Sequence, residues 1–442
     1  MENAIAVPLL DQFVLSVRNH STSKQIDNRD LVDYLAKQTE TLQSYVSNLD
    51  SVLEALDVHQ NALAVLTVLG IKTSAQQLGD ISAVQYHTVT ATQIHDFVIS
   101  VSDRQLRDMA DLLYNVMKSM LKSLGSVGKP MFAIPILKNA IFKLQDKPYQ
   151  LTQLHCLFCQ ACLMSNNLKP AINLLDQNIY VLGSNDDPGI IFDSKFFLHY
   201  YYLGGVIYTA MKNYSKAISF FEIALSTLLP VMSQVMIESY KKFVLVSIIH
   251  LGIVPALPKL SPPLVERVLK PVCQAYLDII PAYQNGDPAD LQSIITKHND
   301  VYQRDKNTGL VKQVLKALYR KNILKLTNTF LNLSISDLTQ KVNIPSITET
   351  EEHLMALIEA GEIHAKINPK DGTIIFNDPS KKFEDSNVLK QILDKVTNKI
   401  SFSNTLRLLD EAISINPLFI KKISCEDEGL SLGQGSSKTY QV

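Results

Sequence analysis

Three cysteines and a histidine stand close together in the segment LHCLFCQACL, and these residue types can bind zinc. Cys156, Cys159 and Cys162 are spaced three residues apart, and His155 precedes the first of them. On a helix these four residues spread around one apolar face, and the sequence has no second cluster of cysteine and histidine that would close a four-ligand zinc site. We therefore expect small cysteines buried in helix packing, with no metal and no cofactor.

The motifs of zinc proteases and of phosphate loops are missing. The ten histidines include no pair one helical turn apart and no His-x-His pair, one of which a zinc protease needs. The segment GSVGKPM fails the phosphate-loop pattern because Lys129 is followed by Pro130, where Ser or Thr is required. The sequence therefore predicts that the protein is not an enzyme and has no catalytic residues.

A basic stripe in the segment 310–331 is the feature that best fits nucleic acid. Its basic residues, with no acidic residue among them, are Lys312, Lys316, Arg320, Lys321 and Lys325. Such a stripe is usually a solvated helix face, or one that pairs with acidic neighbours such as the segment 349–362. RNA binding stays open as an alternative function.

The chain as a whole offers no electrostatic attraction to a polyanion. Its 442 residues include 42 basic and 43 acidic ones, a formal net charge of −1, and 46% are hydrophobic. The longest apolar run, 243–257, is shorter than the roughly 20 residues that span a bilayer. The odd number of cysteines and the acidic N-terminus argue against secretion. We expect a protein of the cytoplasm and nucleus, with no membrane association.

Helical periodicity dominates the first 300 residues and predicts a mostly α-helical chain. The Thr/Gln/Ser-rich segment 73–92 is expected to be a connector. In the segment 334–378, two short helices precede two strands that flank the turn PKDG, which is a winged-helix pattern with a small β-wing. We expect Ser334 to cap the first of these helices, and Thr348 or Thr350 to cap the second.

Three segments share the spacing of small and large residues that is typical of the second helix of a tetratricopeptide-like pair; they begin near Ala133, Ala171 and Ala217. The third segment also has a matching first helix. The residues expected to pack this repeat are Tyr201, Gly205, Tyr208, Ala217, Phe221 and Ala224. Each pair leaves one apolar face uncovered, so the pairs are expected to stack into a solenoid.

The winged-helix segment has the wrong charge for DNA. No Lys or Arg occurs from 342 to 365, and the segment 334–378 holds eight acidic residues against three lysines, a formal charge of −5. A DNA-reading helix needs cations that contact phosphates, so we expect no DNA binding.

The wing is expected to offer a strand edge to another protein. The candidate interface residues are Ile374 and Phe376 on one face and Ile375 on the other. That the following helix simply covers Ile375 stays open.

A further helix is expected beyond the wing. Its apolar residues recur at mostly three- or four-residue steps, and the candidate interface residues are Val388, Ile392, Val396, Leu406, Leu409 and Ile413. Such a helix needs an apolar partner. It could fold back onto the winged helix of its own chain, but we expect it to join a bundle with other chains.

Helical repeats that run into an acidic winged helix resemble the PCI-domain family. Its members are scaffold subunits of the proteasome lid, the signalosome and a translation-initiation factor. The segments YYYLGGVIYTAMKNYSKAISFFEIAL, ESYKKFVLVSIIHLG and MALIEAGEIHAKINPKDGTIIF are most similar to the subunit-three family of the COP-nine signalosome. The similarity extends from about Leu9 to Pro417.

The resemblance and the repeats together predict four parts. We expect N-terminal helical repeats over 1–195 and a PCI domain over 196–378, with a helical part at 196–305 and a winged helix at 306–378. A C-terminal oligomerisation helix is expected over 379–423, and a polar, disordered tail over 424–442.

The resemblance implies a non-catalytic scaffold subunit. The signalosome removes the ubiquitin-like modifier Nedd from cullin-RING ubiquitin ligases, and its catalysis belongs to a different subunit. The implied partners are subunits one and eight as neighbours and the remaining subunits through a bundle of C-terminal helices. Cullin-RING ligases are implied as indirect partners. A proteasome-lid scaffold subunit and an RNA-associated PCI protein are the alternatives.

Overall fold

The computed structural model describes most of the chain, namely residues 10–19, 28–74, 80–146, 149–177, 179, 181–182, 193–227, 232–257, 263–368, 372–376, 386–415 and 417. The chain divides into two compact units. The first comprises Met1–Asn322 with Val342–Ile344, and the second comprises Ile323–Lys341 with Pro345–Val442.

The first unit is built almost entirely of helices. Its N-terminal helices are α1 (10–19), α2 (Asn28–Ser44), α3 (Leu49–Ala55), α4 (Ala62–Ser74), α5 (Asp80–Ser100), α6 (Asp103–Asp108), α7 (Ala110–Ser126), α8 (Ala133–Leu144), α9 (Leu154–Met164) and α10 (Lys169–Leu175). Two short parallel strands, β1 (Gln150–Leu151) and β2 (Val181–Leu182), flank α9 and α10 in the sequence.

The later helices of this unit are α11 (Ser194–Ala210), α12 (Tyr214–Ser226), α13 (Gln234–Leu251), α14 (Pro263–Val272), α15 (Gln274–Leu277), α16 (Ile279–Asn285), α17 (Pro288–Lys297), α18 (Asn299–Arg304) and α19 (Thr308–Thr327), whose last residues belong to the second unit. The apolar side chains form one continuous core, from Leu10 in α1 to Leu318 in α19. Among the described residues, no helix is both long and apolar enough to cross a membrane.

Helix α5 contradicts the connector that we expected over 73–92. The helix begins at Asp80, although the residues before Thr90 are mostly polar. The Nζ atom of Lys72 lies 5.6 Å from the centre of the Tyr86 ring, and Lys72 is buried and pairs with Asp50 at 2.6 Å. Tertiary contacts such as these stabilise a helix that its composition alone does not favour.

Helices α11 and α12 form the predicted tetratricopeptide-like helix pair. All six residues expected to pack this repeat are buried, three on α11 and three on α12. A Cβ atom added to Gly205 would lie 2.6 Å from Cε1 of Phe221, which is closer than atoms normally approach. Phe221 is fully buried, and Tyr208 is packed edge-on against Phe220 with ring centres 5.0 Å apart. The glycine therefore permits the close contact of the two helices.

The winged helix consists of β3 (Asn332–Ser334), α20 (Ile335–Val342), α21 (Ile347–Glu359), β4 (Ala365–Asn368) and β5 (Thr373–Phe376). The three strands form an antiparallel sheet in the order β3-β5-β4, so the strand that comes last in the sequence lies in the middle. In the register, Ile374 pairs with Leu333 on one side and with Ile367 on the other.

Both short helices of the winged helix are capped by serine side chains. Ser334 caps the first helix as predicted, because its Oγ atom accepts a hydrogen bond from the Asp337 backbone N–H at 3.0 Å. The second helix is capped by Ser346, whose side chain accepts from the Thr348 N–H, so neither Thr348 nor Thr350 is the cap. Thr350 instead lies inside, where its hydroxyl contacts Thr339 at 3.0 Å. Gly361, at φ +68°, follows the helix.

The last helix, α22, covers Ser386–Ile415. It contains all six residues that we predicted for the C-terminal interface. The side chain of Val388 lies outside the described residues, as do residues 418–442, which include the whole of the tail that we expected to be disordered, 424–442.

Candidate assembly surface

The cysteine cluster is part of the helical core. Cys156, Cys159 and Cys162 lie on α9 and are buried free thiols. Burial raises the pKa of Cys156 to about 12 and that of Cys162 to about 11, so both remain protonated at neutral pH. Within the described residues, no group of three or more His, Cys, Asp and Glu side chains is placed to hold a metal ion.

His155, beside these thiols, is fully enclosed. Burial lowers the pKa of His155 to about 4, and a backbone hydrogen bond with Thr152 opposes that shift. The backbone N–H of Thr152 donates to Nδ1 of His155 at 3.0 Å, and the imidazole ring packs edge-on against Tyr200. The neutral ring therefore fills a structural role in the core.

The three candidate interface residues on strand β5 differ in their exposure to solvent. Ile374 and Phe376 are buried, whereas the Ile375 side chain is 43% exposed. Because β5 is the middle strand, its backbone is paired on both sides, and the outer strands are β3 and β4. Only Ile375 of these three residues is accessible to a partner, and the strand edge that the wing itself presents belongs to β4.

The exposed side of α21 is acidic and partly apolar. Glu351, Glu352 and Glu359 are exposed, and so are Ile347 and Met355. In a DNA-reading winged helix, this second helix of the motif enters the major groove. Carboxylates at that position repel phosphates, while exposed Ile and Met side chains suit a contact with another protein.

Helix α22 carries the largest run of exposed apolar side chains described in the chain. Its strongly exposed residues, between 47% and 75% accessible, are Leu389, Ile392, Leu393, Val396, Ile400, Phe402, Leu406, Leu408, Ile413 and Ile415. Leu409 is half-buried. Single exposed apolar residues are common on proteins, but ten on one helix make α22 a candidate interaction surface.

Some basic side chains of the α19 stripe are exposed to solvent, and another packs against a neighbouring helix. Lys312, Lys316 and Lys325 are exposed, and no described residue forms an ion pair with them. Lys321 instead donates to the Tyr283 carbonyl at 3.3 Å, and its Nζ atom lies 4.7 Å from the centre of the Tyr283 ring. Lys321 therefore takes part in packing, and the accessible stripe is shorter than the sequence suggested.

A buried polar network precedes α19, and the sequence analysis missed it. Nζ of Lys241 in α13 donates to Asp305 at 2.7 Å and to Glu238 at 2.8 Å. The Tyr276 hydroxyl also donates to Asp305, at 2.9 Å, and accepts from Asn307. Burial opposes the charge of Lys241, but these hydrogen bonds raise its pKa overall. The sequence signal was the pair of lysines at the start of the segment YKKFVLVS, which continues as an apolar run.

Comparisons with known proteins agree with this architecture. Residues 25–265 match the family model for the N-terminal helical repeats of COP9 signalosome complex subunit 3, and residues 295–378 match the PCI domain. COP9 signalosome complex subunit 3 of Drosophila melanogaster is 32% identical over 435 residues, which cover 96% of each chain. The protein of the same name from Dictyostelium discoideum is 32% identical over 427 residues, covering 96% of this chain and 97% of the relative. The chain therefore belongs to the COP9 signalosome subunit 3 family, with N-terminal helical repeats followed by a PCI domain.

Proposed function

We propose that the chain is a non-catalytic scaffold subunit of the signalosome, the complex that removes the ubiquitin-like modifier Nedd from cullin-RING ubiquitin ligases. The relatives' names support membership of that complex. The observation that carries the scaffold role is the exposed apolar surface of α22, which needs a partner to cover it. The chain would act in the cytoplasm and nucleus, with cullin-RING ligases as indirect partners.

Two surfaces would make the assembly contacts. The first is the wing, where β4 presents a strand edge and Ile375 an exposed side chain to a neighbouring subunit. The second is α22, which would enter a bundle with the helices of other subunits. Subunits one and eight are the proposed neighbours. We also propose the domain division into helical repeats over 1–195, a PCI domain over 196–378, an oligomerisation segment over 379–423 and a tail over 424–442.

The double variant Ile392→Asp with Leu409→Asp tests the role of α22. We expect a folded, soluble chain that no longer co-purifies with the complex, because each aspartate would bring an unpaired charge into an apolar contact. Circular dichroism of the purified chain checks the fold, and quantitative mass spectrometry of an affinity-purified sample measures the retained subunits.

The matched control is Asn398→Asp with Ser414→Asp. It adds the same two charges to the same helix at exposed polar positions. This control should keep its partners. If the apolar double variant also kept them, α22 would have no part in assembly and the scaffold proposal would lose its main support.

RNA binding is a second candidate, and the observation that favours it is the exposed pair Lys312 and Lys316, four residues apart on α19. Exposed cations at this spacing can contact successive phosphates. The acidic surface of α21 weighs against a broad nucleic-acid interface. A proteasome-lid scaffold subunit is the other alternative. A pull-down followed by mass spectrometry distinguishes it from a signalosome subunit, because the two would recover different partner subunits.

A further inference from the structure

A cleft lies between helices of the N-terminal repeats. Helices α2 and α7 both pack against α4, and residues of these three helices and of α6 line the cleft. Its volume is about 410 Å³, which is within the range of about 300–1,000 Å³ that is typical of ligand pockets. Leu35 and Met109 are buried and Leu63 and Leu112 are half-buried, so the walls are largely apolar.

The two threonine side chains of the cleft offer hydrogen-bond acceptors to a ligand. The hydroxyl of Thr39 donates to the Leu35 carbonyl at 2.9 Å, and the hydroxyl of Thr67 donates to the Leu63 carbonyl at 2.8 Å. A hydroxyl has a single proton, so each oxygen has only its lone pairs left for a ligand. A ligand that reaches these threonines must therefore be a hydrogen-bond donor.

Two carboxylates add negative charge at the rim of the cleft. Asp108 is the last residue of α6, Asp111 lies in the first turn of α7, and both are exposed. In the described part of the chain, neither carboxylate forms an ion pair. Asp111 accepts one hydrogen bond, from the side chain of Gln153 at 2.9 Å, which leaves its second oxygen for a ligand.

Arg107, which also lines the cleft, does not cancel this charge. Its guanidinium donates to Asp146 at 2.7 Å and to the Gln145 carbonyl at 3.1 Å. The carboxylate of Asp146 compensates the charge of Arg107, so Asp108 and Asp111 supply the excess charge of the cleft. An apolar cleft with acceptors and negative charge is complementary to an apolar group that carries a cation.

We propose that this cleft binds a basic, amphipathic peptide segment of a partner protein, with a large apolar side chain in the cleft and a neighbouring Lys or Arg on Asp108 and Asp111. Ala36 at the rim is exposed, as are both carboxylates, so the cleft is open along one side. A peptide chain can run across an open cleft, whereas a small molecule is usually enclosed over most of its surface. None of the lining residues belongs to the wing or to α22, so this inference goes beyond the proposed function and is independent of it.

A selection from a phage library of random peptides on the purified full-length chain tests the site. The variant Ala36→Trp serves to remove peptides that bind elsewhere, because its indole ring would occupy the open side of the cleft. Ala36 is exposed, so the core should remain intact, and circular dichroism checks this. Thr41→Trp places the same side chain at an exposed position of α2 outside the cleft, and it should bind the selected peptides as the wild type does.

We expect the selected peptides to combine Lys or Arg with large apolar residues. In Asp108→Asn with Asp111→Asn, their Kd by fluorescence anisotropy should rise about tenfold or more, because the charge is lost while the shape is kept. Glu54→Gln with Asp96→Asn is the matched control. It removes two exposed acidic side chains outside the cleft and should leave the Kd unchanged.

Three results would overturn the site: selected peptides without a cationic residue, an unchanged Kd in the neutralised variant, or a selection that enriches no peptide. Octylamine is the small-molecule arm of the experiment. If it bound as tightly as the selected peptides, the cleft would be a site for a free amine and the peptide assignment would be overturned. Assembly is measured separately with the α22 variants, so each of these results leaves the scaffold proposal as it stands.

Discussion

His155 is a titratable side chain enclosed by the helical core, and its enclosure has a consequence for acid stability. In the unfolded chain, a histidine binds a proton below about pH 6.5, whereas burial lowers the folded-state pKa of His155 to about 4. Between these values the unfolded state binds more protons, so stability falls as the pH falls through this window. We expect a loss of about 3 kcal/mol at the acid end.

The His155→Asn variant should show a smaller loss of stability between pH 6.5 and 4.5, because asparagine can accept the Thr152 hydrogen bond and has no proton to gain. Urea unfolding at several pH values measures the slope. His199→Asn is the matched control, since His199 is exposed on α11. An equal slope in wild type and in His155→Asn would contradict the assignment to this ring.

Single residues were predicted well where a local spacing determines their environment. The buried cysteines of α9 follow from helix periodicity, and Ile374 and Phe376 share a face because strand side chains alternate. The middle position of β5 could not be predicted, because it depends on the pairing of β3, a three-residue strand that precedes both helices. Lys241 was missed because its partner Asp305 is distant in sequence.

The contact between α11 and α12 depends on a glycine. In Gly205→Ala, the added methyl group would press on the fully buried Phe221 ring, and overpacking of this kind typically costs about 1–3 kcal/mol. The cost should shrink in a Phe221→Leu background, where the ring is absent. A double-mutant cycle by denaturant unfolding measures the coupling, which we expect to be about 1 kcal/mol or more.

Gly309→Ala is the control for this prediction. Gly309 lies in the first turn of α19, and a Cβ atom added there meets no other atom within 4 Å. Alanine should be neutral or slightly stabilising at this position, because it favours the helix. Additive effects of Gly205→Ala and Phe221→Leu would show that the two positions are not in the close contact described.

At the level of elements, the helices with strong periodicity and the winged-helix order of elements could be predicted from the sequence. The start of α5 could not, because Tyr86 and Lys72 stabilise a polar segment through a contact between helices. The cap of α21 was misplaced by two residues or more, since Ser346 and Thr348 are both good capping residues and only the extended backbone of Ser346 decides between them.

The net charge of the whole chain is close to zero, but acidic and basic side chains are unevenly distributed, with acidic residues on α21 and basic residues on α19. We expect no tight binding of duplex DNA at physiological salt, because the acidic α21 repels phosphates. Filter binding with duplex DNA and single-stranded RNA, at several salt concentrations, measures this. Tight, steeply salt-dependent binding of duplex DNA would contradict the expectation.

The same assay addresses RNA through the variant Lys312→Glu with Lys316→Glu. Salt-dependent RNA binding that disappears in this variant would support the second candidate function, because each phosphate contact contributes to the salt dependence. Equal RNA binding by wild type and variant would show that Lys312 and Lys316 do not bind RNA. Lys297→Glu with Lys306→Glu is a control that makes the same change of net charge outside the stripe.

For the whole molecule, the sequence predicted the mostly α-helical architecture and the family, because long periodic helices and the segments 200–225 and 355–376 carry strong signals. It did not predict how far the exposed apolar side chains of α22 extend around the helix. Val388, Ile392, Val396, Leu406, Leu409 and Ile413 satisfy simple three- and four-residue steps within each half. The exposed side chains of Leu389, Leu393 and Ile400 were not predicted, and they extend the apolar surface further around the helix.

The exposed apolar surface of α22 also bears on the fate of a newly made copy. Until partners arrive, such a surface is available to chaperones, to proteases and to aggregation. We expect a surplus copy to have a shorter lifetime than a copy in the proposed assembly, which would tie the amount of this protein in a cell to the supply of its partners. In the proposed assembly, the leucines and isoleucines of α22 would therefore both form the contact with partners and limit the number of unassembled copies.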